Sequence, residues 1–245
     1  MKVKIFKNII PMIKLYDSLR HLSDTNREIT KAREAGDFVR EREQILKATS
    51  TWGLHIVKIY DINLNVKGKE NLPEAGPVVF VANHQGFADI PVACAVLDKF
   101  QFAFVARENL ERLPSFGPWI RHIRSVFMKR EDVRSSLRTI DEGIALLEKG
   151  YSLLIFPEGT RTKGDHILEF KKGSLRLATK PGVPIVPVTL RGTYRVFEES
   201  GYIKNGAQVD VIIHPAIETK GMDRSAVNGL TAEVEEIIKK GGVSL

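Results

Sequence analysis

The pattern of apolar and polar positions changes character near residue 62. Before it, apolar side chains recur at helical spacing; after it, short β-branched runs alternate with helical segments. The first stretch, MKVKIFKNIIPMIKLYDSLRHL, sets Ile5, Phe6, Ile9, Ile10, Ile13, Tyr16 and Leu19 at intervals of mostly three and four, with Lys4, Lys7, Lys14 and Arg20 among them. A spanning helix needs about 20 mostly apolar residues, and these lysines interrupt the run too early. The pattern therefore predicts a helix lying on a membrane surface, with Ile5, Phe6, Ile9, Ile10 and Ile13 in contact with lipid. It lacks the uninterrupted apolar centre and small-residue cleavage site of a secretory signal, so it is expected to stay in the mature protein. Thr25 and Glu28 then offer a capping box for a second helix running toward Tyr60. Along that helix Ile29, Ala32, Ala35, Val39, Leu46, Trp52, Ile56 and Ile59 form a stripe widened by Phe38 and Ile45. Residues 1–60 thus read as an amphipathic, antiparallel two-helix hairpin forming a membrane-surface motif. The second helix suits packing on the main domain equally well.

From residue 62 the apolar runs predict strands at 78–82, 102–106, 125–128, 152–156, 185–190 and 209–213. Helical patterns fall at 132–149, 168–180 and 223–240. Continuous apolar strands alternating with helices predict an α/β domain over residues 61–245: a largely parallel sheet flanked by helices on both faces. With 43% hydrophobic residues in a chain of 245, there is enough apolar surface for one sizeable core.

Charge adds a class of partner. The net charge is +7, and residues 1–60 carry twelve Lys or Arg against seven Asp or Glu, so +5 of it is N-terminal. An anionic membrane surface, a phosphorylated substrate or an acidic protein all fit that balance. Nucleic acid fits the charge alone, because no reading helix or aromatic platform accompanies it. The single cysteine, Cys94, excludes an intramolecular disulfide and a multi-cysteine metal site, which points to a reducing compartment. Free cysteine is commonly buried and inert, and Cys94 is read that way.

Ligands of open α/β sheets bind beyond the carboxyl ends of strands, and two unusual stretches lie there. The first is NHQGFAD (83–89), in which a turn at Gly86 can fold Asp89 back onto the His84 ring. Asp89 would accept from Nδ1–H and leave Nε2 free to take a proton. Asp89 equally suits the N-cap of the following helix, and both roles can coexist. The second is FPEGTR (156–161). Gly159 lets backbone approach a ligand, Thr160 offers a hydroxyl and Arg161 a planar fork for phosphate. Glu158 would orient Arg161 or accept from a polyol hydroxyl; the bland alternative is a turn closed by a Glu–Arg pair. Between them RSVFMKR (124–130) delivers Lys129 and Arg130 at a strand end, either as a solvated basic terminus or as the rest of a dianion pocket. In GVPIVPVTLRG (182–192), Pro184 and Pro187 suit an edge, a bulge or a strand start, and form either a dry wall for an apolar substrate or part of the core.

Taken in order, these four stretches resemble the motif blocks of the glycerolipid acyltransferases, most closely the bacterial 1-acylglycerol-3-phosphate acyltransferases of the PlsC type. The match covers residues from about 62 to 215. The family's H-x-x-x-x-D falls on His84 and Asp89, and its F-P-E-G-T-R is complete. In the second block Phe127 and Arg130 match, Met128 replaces Ile, and Arg124 stands where the family usually has Gly. The resemblance implies acyl transfer from an acyl carrier protein or coenzyme A thioester to the sn-2 hydroxyl of lysophosphatidic acid, giving phosphatidic acid in phospholipid biosynthesis. His84 would be the general base, oriented by Asp89, with direct attack on the thioester. Arg130 and Arg161 would hold the acceptor's phosphate, with Lys129, Glu158, Gly159 and Thr160 around it. No cofactor or metal is implied beyond the donor thioester, and the expected address is the cytoplasmic face of the cell membrane, peripheral or monotopic. Glycerol-3-phosphate or another lysophospholipid is the alternative acceptor, and a non-catalytic lipid-binding protein on the same scaffold is the alternative class.

Overall fold

A computed structural model describes residues 3–129 and 133–242 of the chain. Helix α1 (Ile5–Ser18) leads into α2 (Ser23–Glu34), and α3 (Phe38–Ile59) folds back antiparallel on α2. The hairpin turn falls at Gly36 and Asp37 rather than near residue 23. Gly36 takes the left-handed conformation, φ 69°, that favours glycine, and Asp37 caps α3 by accepting from the Arg40 N–H at 3.0 Å. Thr25 lies inside α2, which starts two residues earlier, so the expected capping box does not form. The α3 stripe of Ile45, Ala48, Trp52 and Ile56 is buried as core. At Gly53 a Cβ would come within 2.7 Å of Cys94 Cβ and the Pro91 carbonyl oxygen, so α3 approaches α4 (Asp89–Val96) more closely than a side chain allows.

Among the described residues the sheet has seven strands: β1 (Asn63–Lys67), β2 (Val79–Ala82), β3 (Phe102–Arg107), β4 (Val126–Met128), β5 (Ser152–Ile155), β6 (Ile185–Arg191) and β7 (Gln208–Ile213). Their spatial order is β1-β7-β6-β2-β5-β3-β4, every neighbouring pair parallel except β6 with β7. Both faces of the sheet are covered. Phe80 and Ala82 point into a core shared with α3, α4 and α5 (Phe116–His122), while Val79 and Val81 point into one shared with α6 (Val133–Glu148), α7 (Arg176–Thr179) and α8 (Arg224–Gly241). Burial on both faces is why these strands read as unbroken apolar runs. The six expected strands are present, and β1 is additional.

The helix expected at 168–180 shrinks to α7. The N–H of Leu168 goes to Glu158, that of Phe170 to Glu235 and that of Lys171 to the Pro157 carbonyl, so the start of this segment is tied to neighbours instead of a helical ladder. Pro184 precedes β6, and its carbonyl accepts from Val79 N–H. Pro187 lies inside an interior strand, not at an edge. Its carbonyl accepts from His214 N–H on the β7 side, so its missing N–H faces that side too, where pairing begins only at Val188. Pro187 is buried in the packed sheet.

On α1 the apolar stripe divides. Leu15 and Ser18 are buried, whereas Ile5, Phe6, Ile9, Ile10 and Ile13 are exposed, Phe6 to 90%. Asn8 clamps the helix by donating to the Gly201 carbonyl at 2.9 Å and accepting from Ile203 N–H at 3.0 Å. Among the described residues no helix is long and apolar enough to cross a membrane.

Candidate active site

Strands β2 and β5 are hydrogen-bonded neighbours, and the chain leaving each carries one of the two unusual stretches. His84 leaves β2 and its ring stacks on Phe156, which leaves β5, with centroids 4.1 Å apart and planes at 19°. The turn at Gly86 brings Asp89 back: Asp89 Oδ2 lies 2.5 Å from His84 Nδ1 and accepts the Gly86 N–H at 2.9 Å. Asp89 is the first residue of α4 but makes no side-chain cap there, so its carboxylate is committed to the histidine turn. Its other oxygen accepts from the Thr193 hydroxyl. Contacts with His84, the Gly86 N–H and the Thr193 hydroxyl hold this fully buried carboxylate in place. With Nδ1 directed at Asp89, Nε2 lies on the side of the His84 ring away from that carboxylate, and the side chain keeps 15% of its surface exposed.

Glu158 is corrected by its contacts. It does not touch Arg161 and is buried to 3% exposure, where it accepts from the backbone N–H of His84 at 2.6 Å and of Leu168 at 2.8 Å. Burial raises its pKa, opposed by those two bonds. It braces the histidine backbone, and two further bonds, from Thr162 N–H to the His84 carbonyl and from Lys163 N–H to that of Gln85, sew the two stretches together. Gly159 takes φ 69°, and a Cβ there would meet Lys171 Cε and Nζ at 2.8 Å. Lys171, a cation absent from the sequence-based set, therefore stands over this turn. Thr160 is exposed. Arg161 is half-exposed and pairs with Glu198, not Glu158, through Nη1 to Oε1 at 2.8 Å.

The second block stands apart. Two strands, β5 and β3, separate β4 from β2, which at 4.7–4.9 Å per strand puts their ends about 14 Å apart. Lys129 is exposed and borders a separate hollow of about 680 Å³ with Glu111, Arg121, Arg138 and Lys149. Arg130 lies outside the described residues. Arg124, where glycine is usual, has φ 66°, the conformation glycine would adopt at no cost. Its guanidinium donates to both oxygens of the buried Glu41, from Nε at 2.8 Å and Nη2 at 2.9 Å. A bidentate bond to a buried carboxylate offsets the strained backbone.

Two residues of the site had no sequence signal. Thr193 and Glu198 sit just after β6, where Gly192, φ 88°, starts a 3₁₀ turn over Thr193–Val196. They reach partners 104 and 37 residues away, Asp89 and Arg161, and nothing local marks such contacts.

Known proteins resemble this chain in sequence and in fold. The family model described as Acyltransferase matches residues 63–191, which include His84, Asp89 and all of FPEGTR. The chain is 37% identical over 170 residues to the chloroplastic 1-acyl-sn-glycerol-3-phosphate acyltransferase LPAT1 of Arabidopsis thaliana, covering 68% of this chain and 47% of that one. It is 31% identical over 180 residues to the 1-acyl-sn-glycerol-3-phosphate acyltransferase of Borreliella burgdorferi, covering 73% and 72%. It thus spans about half the length of the chloroplast relative and most of the bacterial one. The crystal structure of the 1-acyl-sn-glycerophosphate (LPA) acyltransferase PlsC from Thermotoga maritima superposes with a TM-score of 0.72 at 29% identity, covering 95% of each chain. The chain belongs to the Acyltransferase family.

Proposed function

We propose that this protein transfers a fatty acyl group from a thioester to the sn-2 hydroxyl of lysophosphatidic acid, forming phosphatidic acid. The observation that carries this reading is the His84–Asp89 pair, stacked on Phe156 beside the turn bearing Arg161. The names of the relatives point to the same reaction. His84 Nε2 takes the hydroxyl proton as the oxygen attacks the thioester carbonyl. A carbon–oxygen bond forms, the carbon–sulfur bond breaks, and the proton passes to the leaving thiolate. Because a thioester is already activated, no covalent enzyme intermediate is required. General base catalysis contributes about 10²–10⁴-fold. Arg161 binds the acceptor phosphate. Holding the phosphate fixes the distance from hydroxyl to His84, which lowers the barrier by several kcal/mol more.

The exposed face of α1 gives the reaction its setting. Ile5, Phe6, Ile9, Ile10 and Ile13 enter an anionic lipid surface, with Lys4, Lys7 and Lys14 at the headgroups. An enzyme seated there draws the acceptor in without passing its tail through water, which costs about 0.8 kcal/mol per exposed CH₂. The donor is an acyl carrier protein or coenzyme A thioester, and no other cofactor takes part. The address is the cytoplasmic face of the membrane, in keeping with a free, buried Cys94.

The test is a panel of acceptors, comprising lysophosphatidic acid, glycerol-3-phosphate and a lysophospholipid with a larger headgroup, against both thioester donors, with products identified by mass. Phosphatidic acid as the main product supports the proposal. Acylation of glycerol-3-phosphate in its place overturns the acceptor assignment. Absence of any acylated product favours a lipid-binding protein on the same scaffold.

A further inference from the structure

Glu198 lies outside all four motif blocks, yet it touches both halves of the site. Its Oε1 accepts from the Phe87 N–H at 2.9 Å and from Arg161 Nη1 at 2.8 Å. Phe87 belongs to the turn between His84 and Asp89, and its ring packs on Phe197, the residue before Glu198, with centroids 6.3 Å apart. Oε2 is buried against Gly86, where a Cβ would stand 2.4 Å away, and has no hydrogen-bond partner among the described residues. Burial raises the pKa of this carboxyl, opposed by the Arg161 charge and the Phe87 N–H.

A loop tie would need only the bond to Phe87, and a neutral side chain would make it without burying a charge. The bond to Arg161 is what requires a carboxylate. An arginine that is 42% exposed would otherwise sample many rotamers, and a charge-assisted bond at one Nη holds the fork while leaving Nε and the other Nη to face an anion. The same carboxylate weakens the net positive charge offered to that anion. The arrangement favours geometry over affinity.

We infer that Glu198 is a positioning residue: it fixes the Arg161 guanidinium relative to the His84 turn, so that a phosphate-bearing acceptor places its hydroxyl at the base. This rests on the reading of Arg161 as the phosphate ligand. The experiment is steady-state kinetics of the full chain in lipid vesicles with lysophosphatidic acid, for Glu198→Gln, Arg161→Ala and the double variant. Glu198→Gln is expected to lower kcat by about tenfold, the scale of a sub-ångström misplacement. Its KM for lysophosphatidic acid should be unchanged or lower, since a competing negative charge is gone, and the donor KM should not move. In the double variant the Glu198 change should add nothing to the Arg161→Ala loss.

Fully additive losses, or a Glu198→Gln enzyme within twofold of wild type, would overturn the inference. A rise in both KM values together would do the same, since it indicates a loop that has merely loosened. If Arg161→Ala leaves both acceptor parameters intact, the phosphate reading itself fails. If Arg161→Ala matters and Glu198→Gln does not, only the present inference does. Should Glu198→Gln fail to fold, Glu198→Asp, which keeps the charge but withdraws it by one methylene, reads the same coupling.

Discussion

Substituting Glu41 by Gln tests how the N-terminal helices are joined to the sheet that carries the candidate site. Glu41 is fully buried on α3 and accepts from Arg33 on α2, from Arg124 before β4 and from the Tyr151 hydroxyl before β5, all at 2.7–2.9 Å. Burial alone would raise its pKa; the bonds from Arg124, Tyr151 and Arg33 outweigh it and lower the carboxyl from 4.5 to about 2. At about 1.36 kcal/mol per unit, that difference contributes roughly 3 kcal/mol to folding stability. Because the folded pKa is depressed, this contribution is fully present above about pH 4.5 and is lost as pH falls toward 2. Glu41→Gln keeps one acceptor but leaves two guanidinium groups without their anion. Breaking a buried pair costs about 3–5 kcal/mol, and since both arginines are about 30% exposed and can turn to water, the lower figure applies. The assay is urea unfolding followed by circular dichroism at pH 7 and at lower pH. The gap between wild type and variant should be about 3 kcal/mol at pH 7 and should narrow as the solution is acidified. A gap no larger than an ordinary hydrogen bond, about 1 kcal/mol, or one independent of pH, would refute the reasoning.

Further outcomes follow from the same contacts. Arg124→Gly should relieve about 1 kcal/mol of left-handed backbone strain yet destabilise the protein overall, because the bidentate bond to Glu41 is lost; a more stable variant in thermal unfolding would contradict this. Phe6→Ser with Ile10→Ser removes two exposed apolar side chains from α1, each contributing about 1.5–3 kcal/mol when buried, so binding to anionic vesicles should weaken at least tenfold in sedimentation, and unchanged binding would remove α1 from the lipid contact. Deleting residues 1–60 is unsuitable for that purpose, since it would strip Ile45, Trp52 and Ile56 from the core. Thr193→Val leaves an Asp89 oxygen without its donor and should lower kcat by about tenfold, with Thr193→Ser restoring most of the rate; equal rates in both variants would count against a role for the hydroxyl. Cys94→Ala should keep near wild-type activity, because the thiol is buried and burial raises its pKa; abolished activity in a folded variant would show otherwise.

The parts of this protein legible in its sequence are those with a local signature. Strands β2, β5 and β6 are buried on both faces and read as continuous apolar runs, and the five-residue spacing of His84 and Asp89 already implied that a turn could join them. Strand β1 escaped because NLNVK is half exposed, rich in asparagine and stabilised by its pairing with β7. Residues 168–174 have helical spacing, yet Glu158, Glu235 and Pro157 take N–H groups at the start of the segment. Glu158 read as a partner for Arg161 because the two are close in sequence. The fold turns it inward to the His84 backbone and supplies Glu198 from a segment that pattern and motif both passed over.

The proposed reaction depends on His84 removing the proton from the attacking hydroxyl, and kcat for acyl transfer to lysophosphatidic acid by His84→Ala measures that directly. The predicted result is a fall of about 10³-fold, within the range of general base catalysis, with the circular dichroism spectrum and vesicle binding unchanged. A folded, membrane-bound His84→Ala protein that retains more than about a tenth of the wild-type rate would contradict it.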